Sequence, residues 1–135
     1  MTLEEALAQA WNGNAVAFLG SGFARGAKNK RNEDFKSAEE LRITLNAAAS
    51  GPAEGNLGDA AEAYRAKLGD FALIEELQNE FSATSVADHH RTASIIPWRR
   101  IYTTNYDNVF EVAAMECRIP TVPITLKVDP FVAGA

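Results

Sequence analysis

The sequence predicts an α/β domain built on a parallel sheet, and three observations carry that reading. Residues 15–19, Ala-Val-Ala-Phe-Leu, and residues 100–104, Arg-Ile-Tyr-Thr-Thr, have the apolar, β-branched and aromatic composition of short strands. Each runs into turn residues and then toward a helix. Between them, residues 37–95 carry helical spacing and capping signals, so a helical insertion is expected between the first and second sheet strands. A chain of 135 residues suits one domain, residues 1–135, because a second core would leave both halves short of buried surface.

The first helix is expected to start at Thr2, whose hydroxyl can cap it while Glu5 returns a bond to the Thr2 amide. Leu3, Ala6, Leu7, Ala10 and Trp11 then recur at helical spacing, and Asn12-Gly13-Asn14 ends the helix. The strand at 15–19 is continuous and apolar, as suits a strand covered on both faces. After Gly20 to Gly26, residues 28–36 read as a polar loop. Ser37-Ala38-Glu39-Glu40 forms a second capping box and opens a helix through Leu41 and Leu45 to Ala49.

Residues 51–58 are rich in glycine with a proline and read as a loop. A helix is expected over 59–68, a stop at Gly69, and a second helix over 71–81 capped by Asp70, with Leu73, Ile74, Leu77 and Phe81 on one face. The two would make an α-hairpin. Ser85 and Asp88 start a helix over 86–95 that Pro97 closes. Beyond the strand at 100–104, Asp107 can cap a helix over 108–116. Residues 122–128 suggest a last strand, which Pro123 confines to an edge. A doubly wound, Rossmann-like sheet has about two strands more than these, so the sheet is expected to be incomplete at the C-terminus. Either a second copy or partner subunit completes it, or the chain is a fragment.

Composition excludes several classes of function. The hydrophobic share of 47% is ordinary for a globular domain, and the longest apolar run is far too short to cross a bilayer. Two acids, Glu4 and Glu5, stand where a secretory signal is basic and then apolar, which points to the cytoplasm. A net charge of -5 argues against a nucleic-acid binder. The cluster Lys28, Lys30 and Arg31 could meet a phosphate, although such a run is more often a solvated loop. Cys117 is the single cysteine; it has no disulfide partner and no metal-ligand neighbours, and reads as a small hydrophobe. No metal site is expected.

Two motifs carry chemistry. A strand entering Gly20-x-Gly22-x-x-x-Gly26 can let a phosphate approach main-chain amides at a helix start. Ordinary turn glycines give the same letters. Thr103-Thr104-Asn105-Tyr106-Asp107 gathers hydroxyls, a carboxamide and a carboxylate at a strand end, where open α/β sheets bind ligands. Local rules also accept these as β-formers, a turn and a helix cap.

In this order the motifs resemble the SIR2-like (sirtuin-like) family. Residues 18–23, Phe-Leu-Gly-Ser-Gly-Phe, are similar to its first phosphate-binding turn, and Thr103 to Asp107 to its Thr-x-Asn-x-Asp signature. The form with two threonines and tyrosine is closer to the bacterial antiphage-defence domains that degrade NAD than to protein deacylases. Asp88-His89-His90-Arg91 is similar to the helix that precedes the signature. The resemblance implies NAD as ligand or substrate, with Gly20, Ser21 and Gly22 at the pyrophosphate and Phe23 and Thr104 also at the nucleotide. It implies Asn105 as the catalytic carboxamide by the nicotinamide ribose and Asp107 at the nicotinamide end. Cleavage of that glycosidic bond develops oxocarbenium character, so the protein has mainly to orient the sugar and a water and exclude solvent.

The chain departs from the family at three points. Ala24 and Arg25 stand where a hydroxyl residue is usual, the four zinc cysteines of deacylases are absent, and no histidine follows Asn105. His89 and His90 lie upstream and read as structural or solvent-facing. The expected activity is therefore NAD hydrolysis to nicotinamide and ADP-ribose when a downstream histidine completes the site. The alternatives are a non-catalytic module binding NAD or ADP-ribose, or an inactive truncated fragment.

Overall fold

The computed structural model describes residues 1–51 and 54–124, and within them six helices and a small parallel sheet of two strands form a mixed α/β fold. Helix α1 (Leu3–Trp11) is closed at its start by the Thr2–Glu5 box, with both reciprocal bonds made. Strand β1 (Val16–Leu19) pairs in parallel with β4 (Arg100–Thr103) in the register Val16↔Arg100 to Leu19↔Thr103. The two strands end side by side, so the segments that follow them leave from one edge of the sheet.

The expectation that β1 is covered on both faces is not met. Ala17 is buried, but Phe18 is 81% exposed and stacks on its cross-strand neighbour Tyr102, the rings 5.3 Å apart. With one strand as partner, β1 has layers enough to cover a single face. Likewise Leu3, Leu7 and Trp11 on α1 stay exposed and Ala10 alone on that helix is buried.

Everything between the two strands is insertion. After a single 3-10 turn (Ser21–Ala24), β2 (Lys28–Asn29) pairs antiparallel with β3 (Ala83–Ser85) in a short ribbon. The polar loop expected at 28–36 thus contains a strand. It is pinned by Asn29, whose buried carboxamide oxygen accepts the amides of Arg31 and Glu33 at 2.9 and 3.1 Å. Helices α2 (Ala38–Ala49), α3 (Leu57–Leu68) and α4 (Asp70–Phe81) follow and pack in succession around Leu41, Leu45, Ala60 and Tyr64. Burying Leu45 completely contributes about 2 kcal/mol.

The starts of α3 and α4 differ from expectation. Helix α3 begins two residues before Asp59, because Asn56 caps it and Asp59 is the reciprocal partner at the third position. Helix α4 includes Asp70 and follows directly on Gly69 at φ +94.

Helix α5 (Asp88–Ile95) starts at Asp88 rather than residue 86, since Val86 is committed to the core beside β3. It packs on α6 (Val109–Glu116), whose Val109 and Ala113 are fully buried with Val86, Ala24 and Ala27. That cluster seats the segment after β1, because Ala24 belongs to the 3-10 turn. Cys117 is half-buried at the end of α6. Of the strand expected at 122–128, residues 122–124 are irregular and exposed, and 125–128 lie outside the described residues. No helix among the described residues is long and apolar enough to cross a membrane.

Candidate nucleotide site at the paired strand ends

The edge where β1 and β4 end carries both motifs. Past β1, Gly20 is extended and Ser21 to Ala24 wind one 3-10 turn. Past β4, Asn105 turns its carboxamide back across the gap, and its Nδ2 donates to the Gly20 carbonyl at 2.8 Å. A carbonyl can only accept, so the amide nitrogen is the atom facing it. The Thr103 hydroxyl accepts the Asn105 amide at 2.9 Å and fixes the bend. Two segments 85 positions apart are thereby tied together at the strand ends.

In front of this junction lies a cavity of about 1450 Å³. Its polar wall includes Ser21, Gly22, Thr104, Asn105 and Asp107, and its apolar wall comes from α2, α3 and α4 through Leu41, Leu57, Leu77 and Phe81. A concave site with an apolar bed and a few convergent polar groups is the usual form of a small-molecule site, and this volume leaves room for a dinucleotide. Among the described residues no histidine lines it, and no three His, Cys, Asp or Glu side chains gather in a metal-binding group.

The glycines discriminate between a bare turn and a ligand-facing one. Gly26 has φ +92, and a Cβ there would stand 3.1 Å from His89 Cε1, so the fold itself requires glycine. Gly20 and Gly22 have no positive φ, and nothing of the chain lies within 4 Å of where a Cβ would stand on either. The fold would accept side chains there.

Asp107 is half-buried, and one carboxylate oxygen accepts the Val109 amide at 3.0 Å; it stands one residue before the cap position expected of it, since Asn108 is the cap and α6 starts at Val109. Burial pushes its carboxyl above the usual range, opposed by backbone N–H bonds and by nearby His90. At the lip of the cavity Tyr106 is 84% exposed, its ring 5.9 Å from Phe81. No family model, curated protein or solved structure matches the chain.

The remaining candidates fall in different places. Phe23 does not line the cavity; its ring sits edge-on to His90 at 5.0 Å and beside Phe110. Lys28 pairs with Asp34 at 2.7 Å, and Arg31 grips Glu76 with two bonds of 3.0 and 2.6 Å. Of the basic cluster, Lys30 makes no ion pair among the described residues. His89 is exposed and His90 fully buried.

Sequence reasoning passed over Asn108, whose side-chain oxygen accepts the Ala83 amide at 2.7 Å and joins the site loop to β3. A partner 25 residues away leaves no local signal. Phe81 could have been found, since it closes the apolar face of α4 just where that helix meets the Asn105 loop. In chemical terms the edge offers main-chain amides free of side chains, a carboxamide that acts without ionising, and a carboxyl group poised to hold a proton more readily than an exposed one.

Proposed function

We propose that this chain is a SIR2-like domain with a Rossmann-like nucleotide-binding sheet, binding NAD across the ends of β1 and β4. Gly20, Ser21 and Gly22 would meet the pyrophosphate, Thr104 and Asn105 the nicotinamide ribose, and Asp107 the nicotinamide. The observation that carries this reading is the open space over Gly20 and Gly22. Neither glycine is demanded by backbone conformation or by packing, so the bare backbone there supports close approach by something other than the chain itself.

In the complete reaction NAD is hydrolysed to nicotinamide and ADP-ribose, with Asn105 orienting the ribose and attacking water. The resemblance assigns a histidine to this step, supplied by a further segment, a second copy or a partner subunit. Such an activity belongs in the cytoplasm, where NAD is held, and fits a role in antiphage defence. The test is incubation with NAD and quantification of nicotinamide, beside calorimetric titration with ADP-ribose, for wild type and Asn105→Ala. Nicotinamide release that Asn105→Ala abolishes supports the reading. Absence of binding to both NAD and ADP-ribose overturns it.

A second reading, a non-catalytic NAD or ADP-ribose binding module, is favoured by one feature: the Asn105 carboxamide nitrogen is already engaged by Gly20. ADP-ribose binding without nicotinamide release would select it.

A further inference from the structure

We infer that His90 is a positioning residue for this site, holding the turn at Ser21–Ala24 in the shape that presents Ser21 and the bare Gly22 to the cavity. The inference rests on the nucleotide reading of that cavity and concerns a residue outside its lining.

Two contacts define the geometry. His90 Nδ1 accepts the Ala87 amide at 2.8 Å, and Nε2 lies against the Phe23 carbonyl oxygen. A backbone amide can only donate and a carbonyl can only accept, so Nδ1 is bare and Nε2 carries the proton. The ring is thus the neutral Nε2–H tautomer, and it joins the first residues of α5 to the middle of the glycine turn. It is fully buried, with the Phe23 ring packed edge-on against it. His89, on the same helix, stands beside Gly26, where a Cβ would come within 3.1 Å of its ring. The hold on the turn is therefore His90's, at the Phe23 carbonyl.

The hold depends on the charge of the ring. A second proton would sit on Nδ1, facing the Ala87 N–H, and place a cation at the positive end of α5. His89 and Arg91, on the same helix, oppose that proton, whereas Asp107, from the loop between β4 and α6, and the Phe23 carbonyl favour it. Burial outweighs the favourable groups and takes the ring below the ordinary imidazole value. The bridge is intact at neutral pH and above, weakens as pH falls below about 6.5, and is broken at its Ala87 end as pH falls through the lower value of the folded state, which unseats the ring from α5.

Two variants of the full chain separate positioning from helix capping. In His90→Asn the side-chain oxygen can still accept the Ala87 amide but the amide nitrogen is too short to reach Phe23. In His90→Gln the amide nitrogen can reach it. Calorimetry with ADP-ribose at pH 7.5 should show His90→Asn about five- to tenfold weaker than wild type, the worth of one hydrogen bond, and His90→Gln within about twofold. Between pH 7.5 and 5.5 wild-type affinity should fall while that of His90→Gln changes less. Equal affinity in all three proteins, or equal loss in both variants, overturns the inference.

Hydrogen exchange of the amides at 20–26 without ligand, corrected for intrinsic rates, decides independently of NAD. Faster exchange in His90→Asn than in His90→Gln upholds the bridge even if wild type binds no ADP-ribose, in which case the nucleotide reading alone fails. Identical exchange overturns the bridge. Should His90→Asn not fold, wild type and His90→Gln suffice. Exchange at 20–26 that accelerates below pH 6.5 in the first and not the second upholds the bridge, and matched profiles overturn it.

Discussion

Replacing Gly22 by alanine separates a turn glycine from a ligand-facing one, because the two roles move stability in opposite directions. Gly22 lies in a 3-10 turn without positive φ, and a methyl group on it meets nothing within 4 Å. Alanine at a compatible backbone position stabilises by about 0.4–1 kcal/mol, mainly by narrowing the unfolded ensemble. In a domain of this size that raises the melting temperature by roughly 2–4 °C. If a phosphate occupies the space, the same methyl is overpacked in the complex at a cost of about 1–3 kcal/mol, which is about 5- to 150-fold in affinity. Thermal melts of wild type and Gly22→Ala, with and without ADP-ribose, read both effects at once. The variant should melt higher alone, and its ligand-induced shift should shrink or vanish. Gly26→Ala is the control: with φ +92 and His89 3.1 Å away, it should lose about 1–3 kcal/mol of stability. A Gly22→Ala protein that melts several degrees lower, or keeps the wild-type ligand shift, refutes the reasoning.

Further outcomes follow from the same geometry. Glu80 is fully buried and accepts both the Lys36 amide at 2.6 Å and its ammonium at 2.9 Å, so Glu80→Ala should lose about 3 kcal/mol in urea unfolding, and Glu80→Gln clearly less. Asp107 has its carboxyl raised by burial, so its contribution to stability is full at acidic pH and is lost as pH rises through the folded value. Asp107→Asn should therefore melt at least as high as wild type at pH 7.5, with the difference turning against it toward pH 4, while NAD binding weakens and ADP-ribose binding does not. Leu3 is 76% exposed on α1, so Leu3→Lys should change unfolding free energy by less than about 0.5 kcal/mol despite breaking the apolar stripe.

What was legible in the sequence is what is decided within a few residues. The boxes at Thr2 and Ser37 read correctly because cap and partner stand three apart and satisfy each other. The box at Asn56 obeys the same rule, but Asp59 carries the signal of a helix start as well as that of a capping partner, so the sequence alone does not separate the two. The parallel relation of the two strands followed from the alternation of elements, whereas the one-sided cover of β1 depends on which layers reach it, and composition does not encode that. The ribbon of β2 and β3 is too short to show alternation. For the site, Asn105 and Asp107 were visible as types at a strand end. The bond from Asn105 to Gly20, the salt bridge that occupies Arg31, and the reach of His90 to Phe23 join residues far apart in sequence and leave no periodic trace.

The bond between Asn105 and Gly20 also sets a schedule. The α2 and α3 helices meet through local contacts and can form as soon as both exist, but β1 finds β4 only after the whole insertion has been threaded between them. Closing so long a loop is entropically expensive until the insertion has itself become compact. During synthesis the cavity therefore has a floor before it has a polar wall. The tie from Asn105 to Gly20 cannot form until residue 105 has left the ribosome, and the strand-end junction closes in one late step.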